Sequence, residues 1–137
     1  MKYTLSEHVK VVHMLDPASY AAAAEAFTSG IDCRGFDELL LVVSAGAFTA
    51  TGDVAFQVEE SADDSTYADV SGAAIAEKEQ ADDQATYLIR INLRKRKRYI
   101  RVGYDVDDDA AIFGIFAILG SPDKLPVTAS ATVSASV

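Results

Sequence analysis

Between Ile31 and Leu119 apolar side chains recur at alternate positions or in short unbroken runs, the two signatures of β-strands. Glu38-Leu-Leu-Leu-Val-Val43 is a continuous run rich in strand formers and predicts a buried strand ending at Ala45-Gly46. Asp53 to Glu59 alternates, with Val54, Phe56 and Val58 on one face and Gln57 and Glu59 on the other. Ser61-Ala-Asp-Asp-Ser65 carries turn chemistry, because Asp and Ser side chains bond nearby backbone groups, and Thr66 to Val70 can return as a hairpin partner. Thr86 to Leu93 alternates through Tyr87, Ile89, Ile91 and Leu93, and a further strand runs through Ile100, Val102, Tyr104 and Val106. Ala110 to Leu119 is the most apolar segment and suits a central strand covered on both faces.

The remaining segments punctuate this pattern. Residues 1–16 mix apolar and polar types and read as an extended N-terminal arm or a strand. Ala18 to Phe27 is alanine-rich and has the composition of a short helix or an irregular loop. Gly72 to Asp83 is polar and reads as a long loop. After Pro126 the chain becomes a charge-free tail of Val, Thr, Ala and Ser, suited to lying extended on a neighbouring subunit. The expected organisation is an arm over 1–16, a β-domain over 17–126 and a low-complexity tail over 127–137. Short strands separated by turns, without βαβ alternation, define the expected fold class: all-β, an antiparallel β-sandwich or jelly-roll-like barrel.

Composition narrows the functions. A chain of 137 residues supplies one core. With Cys33 as the only cysteine, an intrachain disulfide and a multi-thiolate zinc site are excluded. Twelve Lys and Arg against 21 Asp and Glu give a charge of −9, which disfavours a general grip on nucleic-acid phosphate. No apolar run approaches the roughly 20 residues of a membrane-spanning helix. The start, with Glu7, His8 and His13, does not read as a signal peptide, so a soluble protein made in the cytosol is expected.

One motif opposes the overall charge. Arg94, Lys95, Arg96, Lys97 and Arg98 are five consecutive cations, read either as a solvated hairpin turn neutralised by nearby carboxylates or as a partner-binding patch. Among partners, an acidic protein surface ranks above nucleic acid, because no aromatics interleave the run for base stacking. Val127, Val133 and Val137 of the tail are the other candidate partner contacts. Asp105, Asp107 and Asp109 form an acidic turn that is a weak candidate for calcium, lacking the glycine and distal Glu of a calcium-binding helix-loop-helix.

Catalytic constellations are thin. Cys33 with His8 or His13 is the one conceivable thiol arrangement, and a lone cysteine is usually a buried hydrophobe. Adjacent Glu59 and Glu60 point to opposite faces of a strand and so do not flank one glycosidic bond. No enzyme, no cofactor and no resident metal are expected.

The segments Ile31-Asp-Cys-Arg-Gly-Phe36, Val58-Glu-Glu-Ser-Ala-Asp-Asp-Ser-Thr-Tyr67, Lys97-Arg-Tyr-Ile-Arg-Val102 and Ile118-Leu-Gly-Ser-Pro122, in that order, resemble small structural proteins encoded beside the capsid genes of tailed bacteriophages and prophages. The resemblance covers roughly residues 5 to 127 and implies a virion component, foremost a head decoration (cement) protein on the outside of the capsid. It implies the major capsid protein as partner, self-association into a homo-oligomer such as a trimer, no nucleic acid and no membrane. This chain departs from the pattern in having Leu93 and the basic run where related chains carry a short Gly-Ser turn, and in continuing past Pro126. Other readings are a neck or tail component, or a carbohydrate-binding module using Tyr67 or Tyr104, weakened by the absence of Trp.

Overall fold

The computed structural model describes residues 2–128 and shows two antiparallel sheets packed face to face. After a single helical turn, α1 (Leu5–His8), come nine strands: β1 (Lys10–Tyr20), β2 (Ala23–Phe27), β3 (Ile31–Asp32), β4 (Phe36–Phe48), β5 (Asp53–Ser61), β6 (Ala68–Lys78), β7 (Thr86–Asn92), β8 (Tyr99–Asp107) and β9 (Ala111–Pro122). Sheet A has the order β1-β9-β4-β7, and sheet B the order β2-β8-β5-β6, with β3 also pairing β8. The expected β-sandwich is the observed fold.

Side-chain alternation produces the core. Leu39, Leu41 and Val43 of β4 face inward beside Phe113, Ile115, Ala117 and Leu119 of β9, all nearly inaccessible. Val54, Phe56 and Val58 of β5 meet them from sheet B, with Ile100, Val102 and Val106 of β8. Phe113 is the hub, its ring centre 4.8 Å from that of Tyr20, 5.2 Å from Phe56 and 5.6 Å from Tyr104. Offset and edge-on ring contacts of this kind add to the burial itself.

The strands β5 and β6 form a hairpin within one sheet, whereas the chain crosses between sheets after β1, β3, β4, β6, β7 and β8. The basic run therefore does not turn a hairpin. It carries the chain from β7 in sheet A to β8 in sheet B, through one turn of 3₁₀ helix at Leu93–Lys95.

One alternative is decided and two expectations are corrected. Of the arm and the strand that residues 1–16 allow, the strand forms: β1 pairs along β9 from Lys10↔Leu119 to Tyr20↔Ala111. The apolar β9 needs a second neighbour besides β4, and Val12, Met14 and Leu15 supply the inward side chains. The alanine-rich segment is strand β2, its helix propensity overridden by pairing with β8. Gly103 of β8 makes room for it, since a Cβ there would lie 2.7 Å from Glu25 Oε1 and 3.0 Å from Phe27 Cε1. The expected loop from Gly72 is mostly strand β6, an edge strand that buries Val70 and Ala73 and kinks at Gly72, where φ is +80°.

Candidate functional site

The basic crossover is built from its anchors outward. Leu93 is buried and pins the turn to the core, while Asn92 Oδ1 accepts a hydrogen bond from the Arg94 backbone N–H at 3.1 Å. The arginines are then tied down one by one. Arg94 donates to Asp37 Oδ2 at 3.0 Å, Arg96 lies 3.6 Å from Glu60, and Arg98 makes a two-point contact with Asp32 at 2.8 and 3.0 Å. The hydrogen bond from Arg98 holds the Asp32 carboxyl below the usual carboxylate range. Glu60 also accepts from the Lys97 backbone N–H at 2.9 Å.

Lys95 and Lys97 differ from these arginines. Both side chains are exposed, and neither forms an ion pair among the described residues. The neutralised-turn reading thus describes Arg94, Arg96 and Arg98, and the unspent charge of the run is concentrated on the two lysines.

The segments Glu59 to Tyr67 and Lys97 to Val102 bond to one another. Arg101 on β8 pairs with Glu59 opposite it on β5, and its guanidinium sits 4.0 Å from the Tyr67 ring centre. Tyr67 in turn donates its hydroxyl to Asp64, whose backbone adopts a positive φ of 59° in the turn. These residues serve the architecture of this end of sheet B.

The acidic turn after β8 does not gather its carboxylates. Asp105 and Asp107 lie on β8, whereas Asp109 lies beyond it and accepts from the Ala110 N–H at 2.8 Å. Among the described residues no group of three His, Cys, Asp or Glu side chains is arranged to hold a metal. Repulsion by Asp105 raises the Asp107 carboxyl above its ordinary value. Asp53, opposite Asp107 in the β5–β8 register, is buried with Oδ1 lacking a hydrogen-bond partner, and its charge raises Glu77. Sequence reading missed Asp53, since nothing local distinguishes it from any acidic residue at a strand start.

Cys33 is buried at 4% exposure, and desolvation, assisted by the Asp32 charge, pushes its thiol up to about 12. That environment opposes thiolate formation. His13 contacts Asp16 at 2.8 Å and His8 packs edge-on against Tyr3. In the tail, Val127 donates its N–H to the Glu7 carbonyl at 2.8 Å, while Val133 and Val137 lie outside the described residues.

A second surface was not expected. The β9 segment reads as covered on both faces and the β4 segment as buried, yet the outer face of sheet A stays open. In the register, Val11, Ile118, Leu40 and Arg90 form one cross-strand row, and His13, Phe116, Val42 and Leu88 the next. None of these belongs to the central core, and Leu88 remains 51% exposed. A groove of about 660 Å³ lies at the end of this face marked by Leu40, Ile118 and Arg90, bordered also by Asp37, Glu38 and Arg94.

Comparison with known proteins adds the fold. No known protein family matches the chain, and no curated protein does. Among solved structures it is similar to the PBSX exported protein XepA, with 15% identity and a TM-score of 0.60, over 100% of this chain and 45% of that one. The chain thus spans less than half of XepA. Weaker likenesses are to the SPBc2 prophage-derived protein YomS, 10% identical over 78% of this chain and 95% of that one at TM-score 0.48, and to a Bacillus endospore appendage protein, 13% identical over 88% and 96% at 0.42. At these identities the likeness defines the β-sandwich fold and leaves function to the surface.

Proposed function

We propose that this chain is a non-enzymatic structural protein of a tailed-phage particle, a decoration protein that binds the outside of the head and stabilises the lattice. The observation that carries the reading is the basic crossover: in a chain of charge −9, Lys95 and Lys97 project from an anchored turn with no internal ion pair among the described residues. Cations held in this way suit an acidic protein surface, where complementary charge speeds and orients docking. The order of segments shared with small phage structural proteins supports the same class, and so does the fold shared with the PBSX exported protein XepA. Many modest contacts repeated over a lattice reinforce one another through avidity.

A neck or tail position remains the second reading. The carbohydrate-module reading loses its proposed platforms: Tyr104 packs against Tyr20 and Phe113, and Arg101 lies over the Tyr67 ring.

The test is cosedimentation of the purified chain with heads of the encoding phage, compared with Lys95→Glu/Lys97→Glu. Saturable binding to heads, weakened at least tenfold in the variant, supports the proposal. Binding confined to tails, or no binding to either, overturns it.

A further inference from the structure

The open outer face of sheet A has two properties that together specify an occupant. Its middle is apolar and uncharged: β9, the strand at its centre, has no charged residue in its 12 positions, and Leu40, Val42, Leu88, Phe116 and Ile118 form a contiguous patch across three strands. Val42, at the middle of the patch, is 6% exposed although it lies outside the central core. A patch of this kind marks an interaction surface.

The border is electrically balanced, with Asp37 and Glu38 against Arg90 and Arg94. Arg94 is spent on Asp37, whereas Arg90 has no ion pair among the described residues and Glu38 accepts a hydrogen bond from Ser121. Arg90 stands opposite Leu40 in the register, and Glu38 lies two residues along β4 from that row. The face therefore offers Glu38 and Arg90 on one margin of an apolar centre, while on the opposite edge strand His13 contacts the exposed Asp16 at 2.8 Å.

We propose that this face pairs with the same face of a second copy of the chain. Two molecules of charge −9 repel across most of their surfaces, and the neutral face of sheet A relieves that repulsion. A two-fold contact is self-complementary, so the face of one copy must supply what the other lacks. Here Leu40, Leu88, Phe116 and Ile118 meet their counterparts, while Glu38 of each copy approaches Arg90 of the other. A uniformly acidic or basic partner would satisfy one of these border charges and oppose the other. The pairing stands or falls independently of the lysine-mediated head attachment.

Sedimentation velocity of the full chain tests it, at about 50 μM, where an interface of ordinary size is occupied. The expected result is a dimer for the natural chain and a monomer for Leu88→Glu, with thermal unfolding unchanged because Leu88 is half exposed at the sheet edge. Glu38→Arg and Arg90→Glu should each weaken dimerisation about tenfold, and the double reversal should restore it. A monomeric natural chain, a dimer that survives Leu88→Glu, or charge reversals that fail to rescue one another would overturn the proposal. A monomer that binds heads through Leu88 and Phe116 would do so as well, giving the face to a capsid partner.

Discussion

The guanidinium of Arg101 lies over the ring of Phe27, 3.9 Å from its centre, and this contact locks the edge strand β2 onto β8. The same guanidinium reaches Tyr67 and pairs with Glu59, so one side chain joins β2, β5, β8 and the turn before β6. Arg101→Lys keeps the charge but loses the flat stacking surface. A loss of about 1–2 kcal/mol is expected by urea unfolding. An unchanged midpoint would show that the stack is incidental.

Phe113 and Ile112 are neighbours in sequence on opposite faces of sheet A, one 1% and the other 41% exposed. Phe113→Ala opens a cavity beneath Tyr20, Phe56 and Tyr104 and should cost about 3–5 kcal/mol. Ile112→Ala should cost under about 1 kcal/mol, the usual range for a surface change. Denaturant titration of both variants checks the orientation of β9, and equal losses would contradict it.

Arg96 and Lys95 have different work despite standing side by side. Arg96→Ala removes the contact with the largely buried Glu60 and should cost about 0.5–1 kcal/mol. Lys95→Ala should leave the unfolding midpoint unchanged, since its side chain has no partner among the described residues. Calorimetry separates the two, and a stability loss in Lys95→Ala would place that lysine in the scaffold.

Asp53 sets a pH dependence. Its charge raises the Glu77 carboxyl and contributes, after Asp105, to raising Asp107. A carboxyl raised by folding contributes stability that is present below its unfolded value and is lost as pH rises through its folded value. The cluster therefore costs stability at neutral pH. Asp53→Asn should raise the melting temperature by a few degrees at pH 7, with the gain vanishing toward about pH 3, below the ordinary carboxylate range. A gain that grows on acidification would reverse the assignment.

The strands legible from sequence are the inner ones and, at the edge of sheet A, β7, whose Ile89 and Ile91 alternate with exposed residues. In β5 and β8, Val54, Phe56 and Val58 and then Ile100, Val102 and Val106 alternate because core and solvent alternate about them. β1, β2 and β6 were obscured because an edge strand pairs on one side and leaves much of its length exposed, as the pattern of β2 shows. The five cations of the basic run were legible as a motif, but their division into tied arginines and open lysines was not. It depends on Asp32, Asp37 and Glu60, which come from other strands and approach only through the sandwich. The outer face of sheet A was misread because an apolar run reports burial and exposure for association alike.

A many-copy place on the phage head is tested by the ratio of this chain to the major capsid protein in purified particles, measured by quantitative mass spectrometry. The expected ratio is near one or a simple lattice fraction such as about one third, as cyclic assembly on a symmetric shell requires. A handful of molecules per particle, or none, would contradict it.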